Sequence, residues 1–242
     1  MKTKKIISLT ALALIMSSTG ASTVFAADGG TYDSNGVITY TPSTKPTDPV
    51  DPTDPTKPVT PIDPTDPTGP KPGTNGPLSI DYASSFDFGS QEITSSDKTY
   101  NAKANPLSDG STRPNWVQVT DNRGSLAGWS LSVQATEFTN GSTGTGSVLT
   151  GAKMTLSNGR VVTNSESPAN KSVSSVTLTP GASSGTILGA TAGSGSGTNL
   201  LAWGDDTTKD SSVSLFVPGK ATKLATTYKS TLTWTLTDTP AN

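Results

Sequence analysis

The chain of 242 residues contains no histidine and no cysteine. Without histidine it lacks the commonest general base and the commonest transition-metal ligand, which excludes a Ser-His-Asp triad and a zinc site of the usual kind. Without cysteine it has no disulfide, no thiol nucleophile and no thiolate ligand. We therefore expect a protein that is not an enzyme and has no catalytic residues, metal site or cofactor.

Charged and aromatic residues are also scarce, at 15% and 6% of the chain, and the net charge is only −2. No run of basic residues interleaves with aromatic ones, so we expect no nucleic-acid partner. Bulk charge does not favour a polyanionic wall polymer such as teichoic acid either. Glycine, serine and threonine dominate instead, and these residues suit turns and exposed strands.

Long apolar runs are absent except near the N-terminus, where lysines precede the run Ile6–Met16 and small residues then lead to Ala26. This order predicts a cleavable secretory signal peptide over residues 1–26. The run is too short for a stable membrane anchor, and no later stretch is apolar enough to span a bilayer. The C-terminal TLTWTLTDTPAN has no sorting motif with a hydrophobic tail. We expect a mature chain without a transmembrane anchor, whose attachment to a cell wall is non-covalent.

A proline occurs at every third position from Pro46 to Pro70, mostly with Asp and Thr between. Proline fixes φ and keeps the preceding residue extended, and polyproline II has three residues per turn. The pattern predicts a stalk over residues 42–77, about 110 Å long at about 3.1 Å per residue. A short N-terminal segment, residues 27–41, precedes it, and one domain, residues 78–242, follows it.

Residues 78–242 alternate apolar and polar positions in many short runs, with no helical period. In GWSLSVQA, Trp129, Leu131 and Val133 share one face, and in STLTWTLTD, Trp234 and Leu236 do so. Such runs predict an all-β fold, an antiparallel β-sandwich that is immunoglobulin-like or related. Asn158-Gly159 predicts a two-residue hairpin, and the Gly/Ser-rich stretch 181–197 predicts a mobile surface loop.

Two Trp-x-Leu units stand out, one in DNRGSLAGWSLSV and one in STLTWTLTDTP. Together with the DPxDP repeat and the GPLSIDYASSFDFG segment, they resemble the WxL-domain surface proteins of low-GC Gram-positive bacteria. The resemblance implies a secreted protein on the cell surface that associates non-covalently with peptidoglycan. It also implies partners: a membrane-anchored WxL-interacting protein and other surface proteins of a multi-protein complex.

The Trp-x-Leu residues have two interpretations. Positions i and i+2 of a strand point to the same side, so Trp129 with Leu131, and Trp234 with Leu236, form two apolar pairs. Either all four side chains lie in the core, or an exposed indole stacks on the sugar rings of a glycan. Trp116 has the opposite parity to Val117 and Trp203 lies at a strand end, so both are candidate glycan contacts.

Carboxylates are the remaining chemical groups. Asp205-Asp206 in GDDTTKD resembles a solvated turn more than a glycosidase pair, and its spacing is not that of an EF-hand calcium loop. The sequence thus favours a wall-binding surface module. An adhesin or scaffold that binds host matrix or other surface proteins is the alternative, and a wall-acting glycosidase is the third hypothesis.

Overall fold

The computed structural model describes residues 29–242, so the predicted signal peptide lies outside the described residues. Residues 29–39 form a unit of their own without strands, and residues 40–242 form a second, compact unit. Residues 29–242 contain no helix, and therefore no helix that could cross a membrane.

Sixteen strands build the second unit. In chain order they are β1 Val50–Asp51, β2 Asp54–Pro58, β3 Leu78–Ala83, β4 Lys98–Asn101, β5 Asn105–Pro106, β6 Thr112–Arg113, β7 Asn115–Asp121, β8 Trp129–Ala135, β9 Lys153–Leu156, β10 Gly159–Thr163, β11 Lys171–Ser172, β12 Val176–Leu178, β13 Ser183–Ala190, β14 Gly197–Trp203, β15 Val213–Val217 and β16 Leu232–Thr237. All pairings between them are antiparallel.

Most strands belong to three four-stranded sheets. Sheet I has the order β10-β14-β7-β3, sheet II the order β11-β13-β8-β16, and sheet III the order β12-β9-β15-β4. Two small hairpins, β1-β2 and β5-β6, complete the fold. The prediction of an all-β, antiparallel fold is confirmed.

One large apolar core takes side chains from all three sheets. Sheet I contributes Val117, Val119, Leu201 and Trp203, sheet II contributes Trp129, Leu131, Val133 and Ile187, and sheet III contributes Met154, Leu156, Leu178 and Val213. Because residues i and i+2 of a strand share a face, alternating apolar positions are enough to supply this core.

Two local predictions were wrong. Asn158 has the positive φ of 55° that a tight turn requires, yet the strands on either side of it do not pair with each other. Instead, β9 joins sheet III and β10 joins sheet I, so the turn passes the chain between sheets. The stretch 181–197 is not simply a loop, because β13 lies inside sheet II between β11 and β8.

The structure does not show the predicted stalk over residues 42–77. Residues 50–58 form the β1-β2 hairpin, and the segment belongs to the same compact unit as sheets I to III. Its Asp-Pro-Thr repeats explain the difference from a rod. The aspartates at positions 51, 54, 63 and 66 each accept hydrogen bonds from the N–H and hydroxyl of the threonine two residues later. These Asx turns bend the backbone, whereas polyproline II has no internal hydrogen bonds.

Candidate functional site

The two Trp-x-Leu motifs meet on one face of sheet II. Strand β16 pairs with β8 in a register that places Leu236 opposite Leu131 and Trp234 opposite Val133. Since the side-chain period of a strand is two, both motifs point toward the large core. The burial of β16 alternates accordingly, with its threonines exposed and its apolar residues partly buried.

The first motif is wholly internal. Trp129 and Leu131 are fully buried, and the indole Nε1 of Trp129 donates to the carbonyl oxygen of Gly195 at 3.0 Å. Gly195 has a φ of +85°, and a Cβ added there would lie 2.6 Å from that Nε1. A buried indole N–H needs an acceptor, and the close turn around Gly195 provides it. The first motif therefore lies inside the large core.

The second motif lies at the margin of the core. Trp234 and Leu236 are partly exposed and pack against the core from β16. The Trp234 ring lies 5.9 Å from the ring of Trp203, which itself contacts Phe86 edge-on at 6.1 Å. Of the four motif side chains, only Trp234 and Leu236 of the second motif are partly accessible to solvent.

The exposure expected for Trp116 and Trp203 is wrong. Trp203 shares the inner face of sheet I with Leu201 and is buried in the large core. Trp116 does lie on the opposite face from Val117, as its parity indicates, but that face is covered as well. In this conformation neither ring is available to a glycan.

A second apolar cluster covers Trp116. We call it the outer core; its buried members are Tyr82, Leu107, Trp116, Val162, Leu200 and Ala202. The Trp116 ring lies 4.5 Å from that of Tyr82, and Val50 and Val59 of the proline-rich segment pack against the cluster. The segment predicted to be a stalk therefore closes the second face of sheet I.

Polar contacts fix this segment to sheet I. The buried Gln118 accepts a hydrogen bond from the Val50 N–H at 2.8 Å and donates to the Asp48 carbonyl at 3.0 Å. Arg160 donates to the Pro52 carbonyl at 3.0 Å. Arg113 pairs with Asp51 at 2.7 Å. Burial opposes ionisation of Asp51, but hydrogen bonds from Thr53 and the Arg113 guanidinium outweigh it and lower its pKa.

Asp81 is a buried carboxyl that Gln118 connects to the proline-rich segment. It accepts hydrogen bonds from Ser79 at 2.7 Å, from Thr120 at 2.6 Å and from the Gln118 amide at 3.0 Å. Burial raises its pKa although these three donors oppose the rise. Because a neutral carboxyl is easier to bury than a carboxylate, the protonated form is favoured here more than in water.

A cleft of about 740 Å³ opens between the proline-rich segment and sheet I. Its walls include the prolines Pro49, Pro61 and Pro72 of the proline-rich segment. Tyr82 and Leu107 also line it. Polar groups of Thr60, Ser108, Asp109 and Lys71 also line it. The lining is therefore mixed, with apolar proline, tyrosine and leucine side chains beside polar and charged ones.

The acidic residues of the described part of the chain are not clustered as metal ligands would be. Residues 29–242 hold no group of three or more acidic side chains placed to share a metal ion. Asp205 accepts hydrogen bonds from the N–H and hydroxyl groups of Thr207 and Thr208, which hold its pKa well below the ordinary value. Asp205 thus stabilises a surface turn.

The comparison with protein families decides what these motifs belong to. A family model described as a WxL domain, surface cell wall-binding, matches residues 27–240, nearly the whole chain. The chain belongs to the WxL family of cell wall-binding surface domains. Its place is accordingly the cell surface, in association with the cell wall. The WxL match includes the proline-rich segment, in agreement with its packing on sheet I.

Two other comparisons add no relatives. Neither the search of curated proteins nor the search of solved structures found a match to this WxL chain.

The outer core is what sequence reasoning missed. Two signals pointed to it: the Asp-Pro-Thr repeats, which predict Asx turns, and the unbroken apolar run Leu200-Leu201-Ala202-Trp203 of β14. A continuous apolar run is typical of a strand covered on both faces.

Proposed function

We propose that the chain is a non-catalytic surface module that holds to peptidoglycan through the compact β unit of residues 40–242. The observation that carries the proposal is the WxL family match over residues 27–240. The compact unit of residues 40–242 lies almost wholly inside that range. We further infer that the sheets around the large core form a β-sandwich, since residues of all three share that core.

The chemistry of the side chains supports a binding role. The sequence has no histidine or cysteine to act as base or nucleophile. Asp205 is engaged by its own turn, and Asp81 is buried under three hydrogen-bond donors. A glycosidase needs two carboxyl groups about 5–10 Å apart with a free path to the sugar. Both carboxyls accept hydrogen bonds from the fold around them, and Asp81 also lines the cleft beside the outer core.

The cleft beside the outer core is the surface we propose for the glycan. Proline rings offer flat C–H surfaces for sugar rings, and the hydroxyls of Thr60 and Ser108 offer hydrogen bonds. Its volume of about 740 Å³ falls within the range of about 300–1,000 Å³ usual for small-ligand sites. The tryptophans are less suitable, because Trp116, Trp129 and Trp203 are buried.

The test is co-sedimentation of purified protein with washed Gram-positive cell walls. Thr60→Trp and Ser108→Trp each place a bulky ring in the cleft at an exposed position. The matched control is Thr177→Trp, an exposed threonine on β12. We expect the two cleft variants to sediment less than wild type with unchanged melting temperature, and the control to sediment normally.

Equal sedimentation of all three variants would show that the glycan contacts another surface. Failure of the wild type to sediment with walls, or its equal sedimentation after muramidase digestion of the glycan, would contradict the proposed function itself. A clearing zone on a peptidoglycan gel would contradict its non-catalytic nature.

Protein partners are a second proposal and rest on the family resemblance. A membrane-anchored WxL-interacting protein and other surface proteins are the candidates, with host matrix as the adhesin alternative. The exposed, uncharged edge of β16 favours a protein contact over a purely glycan-binding role. A pull-down of purified candidate proteins in the absence of glycan tests it, and recovery only with glycan present would contradict it.

A further inference from the structure

Strand β16 is an outer strand of sheet II with an unusual edge. Its sequence LTWTLT carries no charge, no proline and no glycine. Its pairing with β8 runs in unbroken register, so no bulge twists the strand away. No other backbone hydrogen bond in the described part of the chain involves residues 232–237. A regular, uncharged edge leaves a row of N–H and C=O groups ready for another strand.

The other outer strands are protected by familiar means. The edge of β3 is covered by Thr74, whose N–H donates to the Ile80 carbonyl at 2.8 Å and whose hydroxyl accepts from the Ile80 N–H at 2.9 Å. Strand β4 carries Lys98 and β10 carries Arg160. Strands β11 and β12 have only two and three residues. Strand β16 has none of these protections, so its edge is the one suited to pairing with another strand.

The side chains of β16 also favour an incoming strand. Leu232, Trp234 and Leu236 are partly exposed at the margin of the large core. A strand laid along β16 would continue the inner face of sheet II with its own alternate side chains. Apolar side chains on that strand would cover the parts of Trp234 and Leu236 that water now reaches.

The chain itself contains a segment of this kind. We call residues 29–40 the N-terminal arm. Four of the nine exposed large apolar side chains in the described residues lie in it: Tyr32, Val37, Ile38 and Tyr40. Val37 is 92% exposed and Ile38 is 73% exposed, and the arm forms no strand. Valine, isoleucine, threonine and tyrosine all favour strands, so Val37-Ile38-Thr39-Tyr40 is a strand sequence without a sheet.

We propose that the N-terminal arm of one molecule adds a strand to the β16 edge of a second copy of the chain. Ile38 and Tyr40 would lie over Leu236 and Trp234, and Thr39 would lie on the threonine face of β16. The two elements are complementary, because the arm has strand-forming residues without a sheet and β16 is an outer strand with one free edge. Because arm and edge are different surfaces, the contact is heterologous and links copies head to tail.

Crosslinking tests the proposal cleanly, because the chain has no cysteine of its own. One variant carries Thr39→Cys in the arm and another carries Thr235→Cys on β16. The control partner carries Thr99→Cys, an exposed threonine on the outer strand β4. We expect a short bismaleimide linker to join the Thr39→Cys and Thr235→Cys molecules, and not the Thr39→Cys and Thr99→Cys molecules.

Self-association provides an independent measurement. We expect the molar mass from light scattering to rise with concentration for the wild type. We expect Ile38→Asp to abolish that rise, and Asn35→Asp, which adds the same charge nearby, to leave it intact. The arm is exposed, so neither change affects folding of the β domain. A matching circular dichroism spectrum and melting temperature check this.

Three results would overturn the proposal. The first is equal crosslinking to Thr235→Cys and Thr99→Cys, and the second is a molar mass that stays monomeric at all concentrations. The third is an intrachain crosslink in a Thr39→Cys/Thr235→Cys double variant that does not weaken on dilution, which would place the arm on its own β16. None of these results depends on cell walls, so they leave the proposed wall association untouched.

Discussion

The indole N–H of Trp129 donates to the carbonyl oxygen of Gly195 across 3.0 Å in the interior of the protein. Gly195 belongs to the turn that leads into β14 of sheet I, whereas Trp129 begins β8 of sheet II. The bond therefore ties two sheets together at the position where the first Trp-x-Leu motif begins. We propose on this basis that Trp129 supports the fold and does not contact the cell wall directly.

Replacement of the two motif tryptophans should have unequal effects. Trp129→Ala leaves a cavity at a fully buried position and should lower the free energy of unfolding by about 3–5 kcal/mol. Trp234→Ala removes a partly exposed ring and should cost less. Chemical denaturation of both variants measures this difference. A Trp129→Ala protein that keeps its stability but no longer sediments with cell walls would contradict the structural role.

A pair of glycine variants isolates the tight approach at Gly195. Gly195 and Gly193 have φ values of +85° and +90°, so alanine is strained at both. At Gly195 the new Cβ would also collide with Ala190 and approach Trp129 Nε1 to 2.6 Å, whereas at Gly193 it meets nothing within 4 Å. Gly195→Ala should therefore lower the melting temperature clearly more than Gly193→Ala. Equal losses would mean that backbone strain alone explains the glycine.

Gln118 holds the proline-rich segment against sheet I. Gln118→Ala removes the acceptor for the Val50 N–H and the donor to the Asp48 carbonyl and to Asp81, and should cost about 1–3 kcal/mol. Hydrogen exchange at residues 48–61 should accelerate, and proteases should cleave there sooner. Gln134→Ala, at an exposed position on β8, is the control and should change neither. Unchanged hydrogen exchange at residues 48–61 in Gln118→Ala would show that Gln118 does not hold the segment in place.

The buried carboxyl of Asp81 predicts a specific pH dependence. Its pKa is raised above the ordinary 3.8, so the folded state binds this proton more tightly than the unfolded state. Its contribution to stability is full below the unfolded pKa and is lost as the pH rises through the folded pKa. Carboxyls with lowered pKa, such as Asp54 and Asp87, have the opposite sign and lose their contribution as the pH falls.

The difference between wild type and Asp81→Asn separates these effects. The variant cannot ionise at this position, so its stability relative to wild type should improve as the pH rises from about 3 through the folded pKa. Denaturation curves at a series of pH values measure the difference. A difference that stays constant with pH would mean that Asp81 titrates as it does in water.

The alternation along individual strands was readable from the sequence, whereas the partners of the strands were not. The parity of Trp129, Leu131, Trp234 and Leu236 predicted their shared faces, because each strand has a period of two. Parity also predicted that Trp116 lies on the face of β7 opposite to Val117. Parity cannot show whether that face meets water or a second apolar layer. That distinction depended on residues elsewhere in the chain, from Val50 and Val59 to Tyr82 and Leu107, which no local pattern connects to Trp116.

The proline-rich segment shows the same limit in another form. Its spacing of three residues fits polyproline II, and the Asp-Pro-Thr composition fits a series of Asx turns equally well. The hydrogen bonds of Gln118, Arg113 and Arg160 favour the folded alternative. Those three side chains come from β7, β6 and β10, so only the assembled sheets bring them to the segment.

The location of the outer core matters for anyone who wishes to use this domain to display a cargo on bacteria. A fusion that begins at residue 78 would strip Val50 and Val59 from the outer core and leave the rings of Tyr82 and Trp116 uncovered. A fusion that keeps the whole compact unit begins at residue 40 and carries its cargo ahead of that point.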